Sequence, residues 1–220
     1  MRELIGSPIG AAAAIAVSAA IIAVAAIIIL ACRQHRRNAA GREGERMVSD
    51  ILASLPVDRY ICLNNLLLPL GSRGAQIDHT VISEHGIFVL EVKNYAGLIR
   101  GDERADYFTQ YRGGSKRRFL NPLRQNDSHI AALMRLTGLP RDCFISVGVF
   151  TSRPKLKIRK HLHLPGRRSE YIVRARKLKR LIRRVDAPEA VGYDIPRLAD
   201  MIEAASLDSI GERRRHIRGA

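Results

Sequence analysis

The sequence predicts an α/β protein with a mixed central sheet, helices on both of its faces, and one N-terminal transmembrane helix. Three observations carry this reading. Two arms rich in β-branched and large apolar residues, 75–83 and 86–93, meet at the polar turn Ser83-Glu84-His85-Gly86. Around them the periodicity runs helix, three or more strands, helix, strand, the order of a sheet covered on both faces. Residues 9–31 carry no charge, and Ser18 is their one polar side chain.

In chain order, 1–8 is a short tail and 9–31 is the apolar helix. Twenty-three helical residues rise about 35 Å, enough to cross a hydrocarbon core of about 30 Å with some tilt. Arg33, Arg36, Arg37, Arg42 and Arg46 follow it, against Arg2 and the opposing Glu3 before it. This places the bulk of the chain on the cytoplasmic side of the cell membrane, as a single-pass protein. A cleaved signal peptide would need a basic leader and a shorter apolar run. A lipoprotein signal is hinted at by Ile29-Leu30-Ala31-Cys32, but the weak leader and the arginines after Cys32 oppose it.

After a basic linker at 32–40, Met47, Val48, Ile51, Leu52 and Leu55 recur at helical spacing until Pro56. Glu45 and Glu43 stand at opposite edges of that stripe, and spacing does not choose between them. Either also suits the first turn of a helix, where acids offset the positive end of the dipole. Residues 60–69 read as a first strand. The central hairpin comes next, then short strands at 97–101 and 107–111 and a basic loop at 113–118. Asn121-Pro122 starts a helix, with Asn as cap and Pro in the first turn. Within it Gln125 and His129 share a face. A buried strand at 144–150 precedes a basic extension, 151–210, packed on the domain, with a strand at 171–173 and helices at 176–184 and 195–205. The tail 211–220 is polar and expected to fray.

The 220 residues allow one sizeable core, and the net charge of +16 is uneven. From Arg153 to Arg184 the basic residues are dense and Glu170 is the one acid. Such a stretch suits an anionic partner, nucleic acid or a membrane surface. It holds one aromatic residue, Tyr171, so contact with a phosphate backbone is expected rather than base stacking. The three cysteines, Cys32, Cys62 and Cys143, are odd in number and far apart, which excludes a disulfide framework and a zinc site and fits a reducing compartment.

The chemistry sits in the hairpin. Glu91 and Lys93 share one face of a strand. If Ser83 pairs with Gly86, partner numbers sum to 169 and Asp78 falls opposite Glu91; a three-residue loop would shift that register by one. An acid and a lysine two residues apart are also the pattern of an ion pair on a solvated edge. Here the arm 87–92 is apolar on both faces and reads as a central strand. Two converging carboxylates need a neutralising partner, and Mg²⁺ (or Mn²⁺) supplies one, typically with waters and a phosphate oxygen of the substrate. With Lys93 holding a water or the charge of a pentavalent phosphate, such a site would hydrolyse phosphodiesters.

The set Gly41-x-x-Gly44-Glu45, Gln76-Ile77-Asp78-His79, Gly86 through Tyr95 with Gly97 and Gly101, and Asn121-Pro122-Leu123-x-Gln125-Asn126 with His129 resembles the nuclease-related (NERD) domain over residues 41–150. That family is similar to the PD-(D/E)xK nuclease superfamily. The resemblance implies a restriction-endonuclease-like αβββαβ core and metal-dependent cleavage of DNA or RNA. By it, Asp78 and Glu91 are metal ligands, Lys93 is the catalytic lysine, Glu45 rather than Glu43 is the helix-borne acid, also a ligand, and Gln125 orients water or phosphate. The family often has Trp after the Gly101 region; this chain has none and offers Tyr107 or Tyr111 there. The alternative is a non-catalytic module on the same fold that binds nucleic acid or anionic membrane through the basic region.

Overall fold

The structure is a computed structural model. It describes residues 8–70, 73–161, 169–185 and 192–218; the side chains of most residues before 27 and of all residues after 206 lie outside that description. The chain divides into two compact units, Met1–Arg42 and Glu43–Ala220.

The first unit is the N-terminal part of helix α1 (Pro8–Ala53), which also takes in the residues expected as a linker, 32–40. Most side chains of the apolar run 9–31 fall outside the described residues. Among the described residues no helix is long and apolar enough to cross a membrane, so the expected transmembrane helix is not supported here. What is described is a set of exposed apolar side chains, Ile27, Ile28 and Leu30.

In the second unit α1 leads to a five-stranded sheet of order β1-β2-β3-β7-β9. Strands β1 (Ile61–Leu70), β2 (Arg73–Ser83) and β3 (Gly86–Lys93) pair antiparallel; β7 (Phe144–Phe150) and β9 (Glu170–Arg174) continue parallel to β3. Central strands must hide both faces, and β3 and β7 do: residues 86–91 and all of β7 are buried. One face carries α2 (Pro122–Thr137) and α4 (Ile195–Arg218), with Ile130, Leu133 and Ile202 over Ile77, Ile87 and Val89. The other carries the end of α1 and the short α3 (Leu178–Ile182), with Val48, Leu52 and Leu178 over Val81, Phe88 and Val147. This is the mixed α/β architecture expected from the order of elements. The basic extension is part of it, since it supplies β9, α3 and α4.

Between β3 and α2 the chain builds a second sheet of order β6-β5-β4-β8. It consists of β4 (Leu98–Asp102), β5 (Tyr107–Arg112), β6 (Ser115–Leu120) and, returning later, β8 (Lys155–Arg159). Four details differ from expectation. The basic loop at 113–118 is mostly strand: Gly113 and Gly114 turn at φ 52 and 75, and β6 pairs back on β5. In the basic stretch the alternation Lys155-Leu156-Lys157-Ile158-Arg159 forms β8, parallel to β4. Met47, expected in the buried stripe of α1, is exposed. The tail expected to fray is helical to Arg218.

Candidate functional site

The hairpin closes as expected: Ser83 pairs with Gly86, and His79 with Leu90. Gly86 stands at φ 132, a region L-residues avoid, and this is where the turn chemistry demands glycine. The ladder then stops one pair short of the charges. Val92 N–H donates to Asp78 Oδ2 at 2.8 Å instead of to a backbone carbonyl, so Asp78 ends the pairing by capturing a β3 donor. On the other side of β2 the ladder to β1 also lapses opposite Asp78, where Asn65 takes φ 53, a conformation Asn tolerates better than most residues. The sheet therefore opens at its charged end.

Glu91 is 3% exposed. Its Oε1 accepts from Lys93 Nζ at 2.5 Å, and Lys93 Nζ also donates to Gln125 Oε1 at 3.0 Å. Glu91 Oε2 is buried with no hydrogen-bond partner, and His129 Nδ1 lies 3.9 Å from it. Burial raises the Glu91 carboxyl to about 7, with Asp78 and Glu45 pushing the same way and Lys93 pulling back. Burial likewise raises Asp78 to about 6, the Val92 N–H opposing and Glu45 adding to the rise. His129 and His79 are both lowered to about 4 by burial, so both rings are neutral at pH 7. His79 is held through Nδ1 by Asn64 Oδ1 at 2.7 Å.

The approach of α1 is set by Gly44. A Cβ there would lie 2.9 Å from Asn94 Cβ and 3.1 Å from Thr151 Oγ1, so the helix can close on the ends of β3 and β7 only because no side chain intervenes. That brings Glu45 into the electrostatic range of Asp78 and Glu91, while Glu43 is exposed. On the other face, α2 is fixed by Asn126, which donates to Val89 O at 2.9 Å and Ser146 Oγ at 3.0 Å, and by Gly148, where a Cβ would strike Pro122 Cγ at 2.7 Å. Gln125 is thereby presented to Lys93.

The five expected site residues thus gather at one end of the central sheet. His129, His79 and Asn126 join them. Their signal in the sequence was position: His129 one turn from Gln125, His79 beside Asp78, and Asn126 next to Gln125.

A hard divalent cation takes oxygen donors and needs only one or two carboxylates of the protein. The unpartnered Glu91 Oε2 and the neighbouring Asp78 fit that chemistry. Among the described residues no group of three His, Cys, Asp or Glu side chains is close enough to hold a metal, so Glu45 does not complete a three-donor cage in this arrangement. Elsewhere, Arg176, Lys179, Arg180, Arg183 and Arg184 line a cleft of about 440 Å³ at α3, a strongly basic surface without aromatic rings. Cys143 is buried and Cys62 partly so, neither of them in a disulfide; burial pushes Cys62 up to about 11, which makes it a poor nucleophile.

Among curated proteins the chain is 38% identical, over 127 residues, to an uncharacterised protein of Bacillus anthracis. The match covers 57% of this chain and 59% of that protein, so the chain spans less than two thirds of the relative's length. No solved structure matches significantly. The family model for the nuclease-related domain matches residues 40–151, half of the chain, and that span begins just before Gly44 and ends with the strand beside β3. The chain therefore belongs to the nuclease-related domain (NERD) family.

Proposed function

We propose that the chain is a metal-dependent nuclease that hydrolyses phosphodiester bonds of DNA or RNA and is anchored to the cell membrane through residues 9–31, with its folded domain on the cytoplasmic side. The observation that carries the reading is Glu91: a carboxylate 3% exposed, with one oxygen on Lys93 and the other without a partner. A structural ion pair has no use for the second oxygen, and leaving it bare is costly unless a cation takes it.

In this reading Asp78 and Glu91 hold Mg²⁺ or Mn²⁺, and Glu45 adds a third negative charge from α1. When bound, the ion supplies a polarised phosphoryl oxygen and a more acidic water. The remaining work falls to side chains of this chain. Lys93 is held between Glu91 and Gln125 and offers its ammonium to the developing charge on phosphate. Gln125 orients Lys93 and, through its amide, a water. His129, kept neutral by burial, lies 3.9 Å from Glu91 Oε2 and adds no positive charge of its own to compete with the ion. The membrane anchor is supported by the uncharged run 9–31 and by the exposure of Ile27, Ile28 and Leu30.

The test is cleavage of end-labelled DNA and RNA by the full chain in detergent, with Mg²⁺, Mn²⁺ or EDTA. The expected result is cleavage that needs the metal and is lost in Asp78→Ala and Lys93→Ala. Metal-dependent cleavage that survives Asp78→Ala would overturn the assignment. Retention of the chain in membranes after alkaline carbonate washing tests the anchor. A second reading, a non-catalytic module that binds nucleic acid or anionic lipid, is favoured by the basic cleft at α3, whose lining includes neither Glu91 nor Lys93. It predicts salt-dependent binding with no cleavage under either metal.

A further inference from the structure

We propose that the outer face of the second sheet is a stacking platform for single-stranded nucleic acid, delivering the strand to the neighbouring site. The inference rests on the nucleic-acid reading above and specifies its surface and strandedness.

Cross-strand partners share a face, so the register sorts the side chains of the four strands into an inward and an outward side. Ile99, Phe108 and Phe119 point inward and are buried, with Leu156 and Ile158 partly buried behind them. The opposite positions therefore face out. Across the sheet, β6 Lys116 pairs with β5 Tyr111, Tyr111 with β4 Leu98, and Leu98 with β8 Lys155. The next row runs Arg118, Thr109, Arg100, Lys157. Tyr107 lies two residues further along β5, and Arg159 ends β8. Tyr107 is 50% exposed and Tyr111 36%. The Arg118 guanidinium stands 4.7 Å from the Tyr107 ring centroid, and that of Arg100 stands 5.8 Å from Tyr111.

Two exposed rings interleaved with six cations form the combination that binds single strands: bases stack on the rings while phosphates follow the charge. The acid at the outward positions, Asp102, is engaged by the Arg104 N–H and His161 and lies 3.8 Å from the exposed Arg159, a platform cation it pairs with. A duplex keeps its bases stacked internally and has no use for the rings, whereas the α3 cleft provides charge alone. The platform begins five residues after Lys93, at Leu98, so chain length limits their Cα separation to ~18 Å. That is the span of a few nucleotides.

The probe is fluorescence anisotropy of the full chain in detergent and EDTA with labelled oligo(dT)₂₀ and with a 20-base-pair duplex. Each of Tyr107→Leu and Tyr111→Leu is expected to weaken oligo(dT)₂₀ by at least about fivefold, and the Phe replacements to retain affinity. Duplex affinity should stay unchanged in all four. Lys157→Gln should lower the slope of log affinity against log salt by ~0.7 for the single strand. Equal losses for duplex and single strand, no loss in the Leu variants, or binding to phosphatidylserine vesicles without affinity for oligo(dT)₂₀ would each overturn the proposal. Binding is read without metal, so failure of the catalytic reading leaves this result intact, and failure here leaves the cleavage assay intact.

Discussion

Replacing Glu91 by Gln should stabilise the domain above neutral pH and do little in acid. The magnitude follows from the displacement of the Glu91 carboxyl, from 4.5 to about 7. Between those values the folded state holds a proton that the unfolded chain has lost. Stability is therefore complete below pH 4.5, falls as pH rises through the window, and levels off above about 7. At about 1.4 kcal/mol per pH unit, the ionised carboxylate costs roughly 3 kcal/mol at pH 8, a figure that already includes the favourable pull of Lys93. Gln accepts from Lys93 through the same oxygen and does not titrate. Wild type alone will not reveal this. Burial lowers His79 and His129 to about 4, and these rings contribute in the opposite sense, stability growing as pH rises from about 4 to 6.5. The quantity to measure is the difference between Glu91→Gln and wild type. The chain has no Trp, so far-ultraviolet circular dichroism in EDTA is the suitable monitor. For a chain of this size the expected gain in Tm is roughly 6 to 12 °C at pH 8, shrinking towards zero at pH 4.5. A difference curve that is flat with pH, or that favours wild type at pH 8, would refute the placement of Glu91 as a buried, charge-strained carboxylate.

Two further outcomes test the supports of the site. Asn126→Ala removes donors to Val89 O and Ser146 Oγ in the buried joint between α2 and the sheet, and is expected to cost about 2 to 4 kcal/mol, read as a fall in Tm. Asn126→Asp should be worse than Ala at neutral pH, because a carboxylate would face a backbone carbonyl. Gly44→Ala should cost about 1 to 3 kcal/mol by wedging α1 off Asn94, and should weaken metal-dependent cleavage more than stability, since the same movement withdraws Glu45.

What could be read from the sequence follows the strength of local signals. The hairpin was legible because its arms are strongly apolar and the turn register has few solutions; α2 was legible because Asn121 caps it through Leu123 N–H at 3.0 Å and Gly138 ends it in the left-handed region at φ 72. Met47 was misplaced because five apolar residues at helical spacing do not say where the buried arc ends, and that arc takes Val48, Leu52 and Leu55 and leaves Met47 outside. β6 and β8 were obscured by their own charge. Each lies at an edge of the second sheet and needs only one or two inward apolar residues, so β6 carries Phe119 alone and the short alternation of β8, Leu156 and Ile158, sits inside a run of basic residues. The opening of the ladder at Asp78 had no local signal, since it depends on a side chain taking a donor from another strand. Nor did the placing of β8 on the far side of β4 from the β5 tyrosines, which a parallel pairing between residues more than fifty positions apart brings about.

The second sheet and the charged end of the first share a single joint. Asn121 Oδ1 caps α2, while its Nδ2 donates to Glu103 O at 3.0 Å and Ala105 O at 2.7 Å in the turn between β4 and β5. Leu123, one residue past the helix start, belongs to the same buried cluster as Ile99, Phe108 and Phe119. The first turn of α2 is therefore set by the inserted sheet on one side and by Asn126 on the other, and Gln125 lies between these two anchors. This explains why Asn121, Pro122, Gln125 and Asn126 stand so close in the sequence: the cap fixes the insert, the proline packs against Gly148, the glutamine reaches Lys93 and the second asparagine binds the sheet. The inserted sheet and the placement of Gln125 against Lys93 therefore rest on one structural support, the first turn of α2.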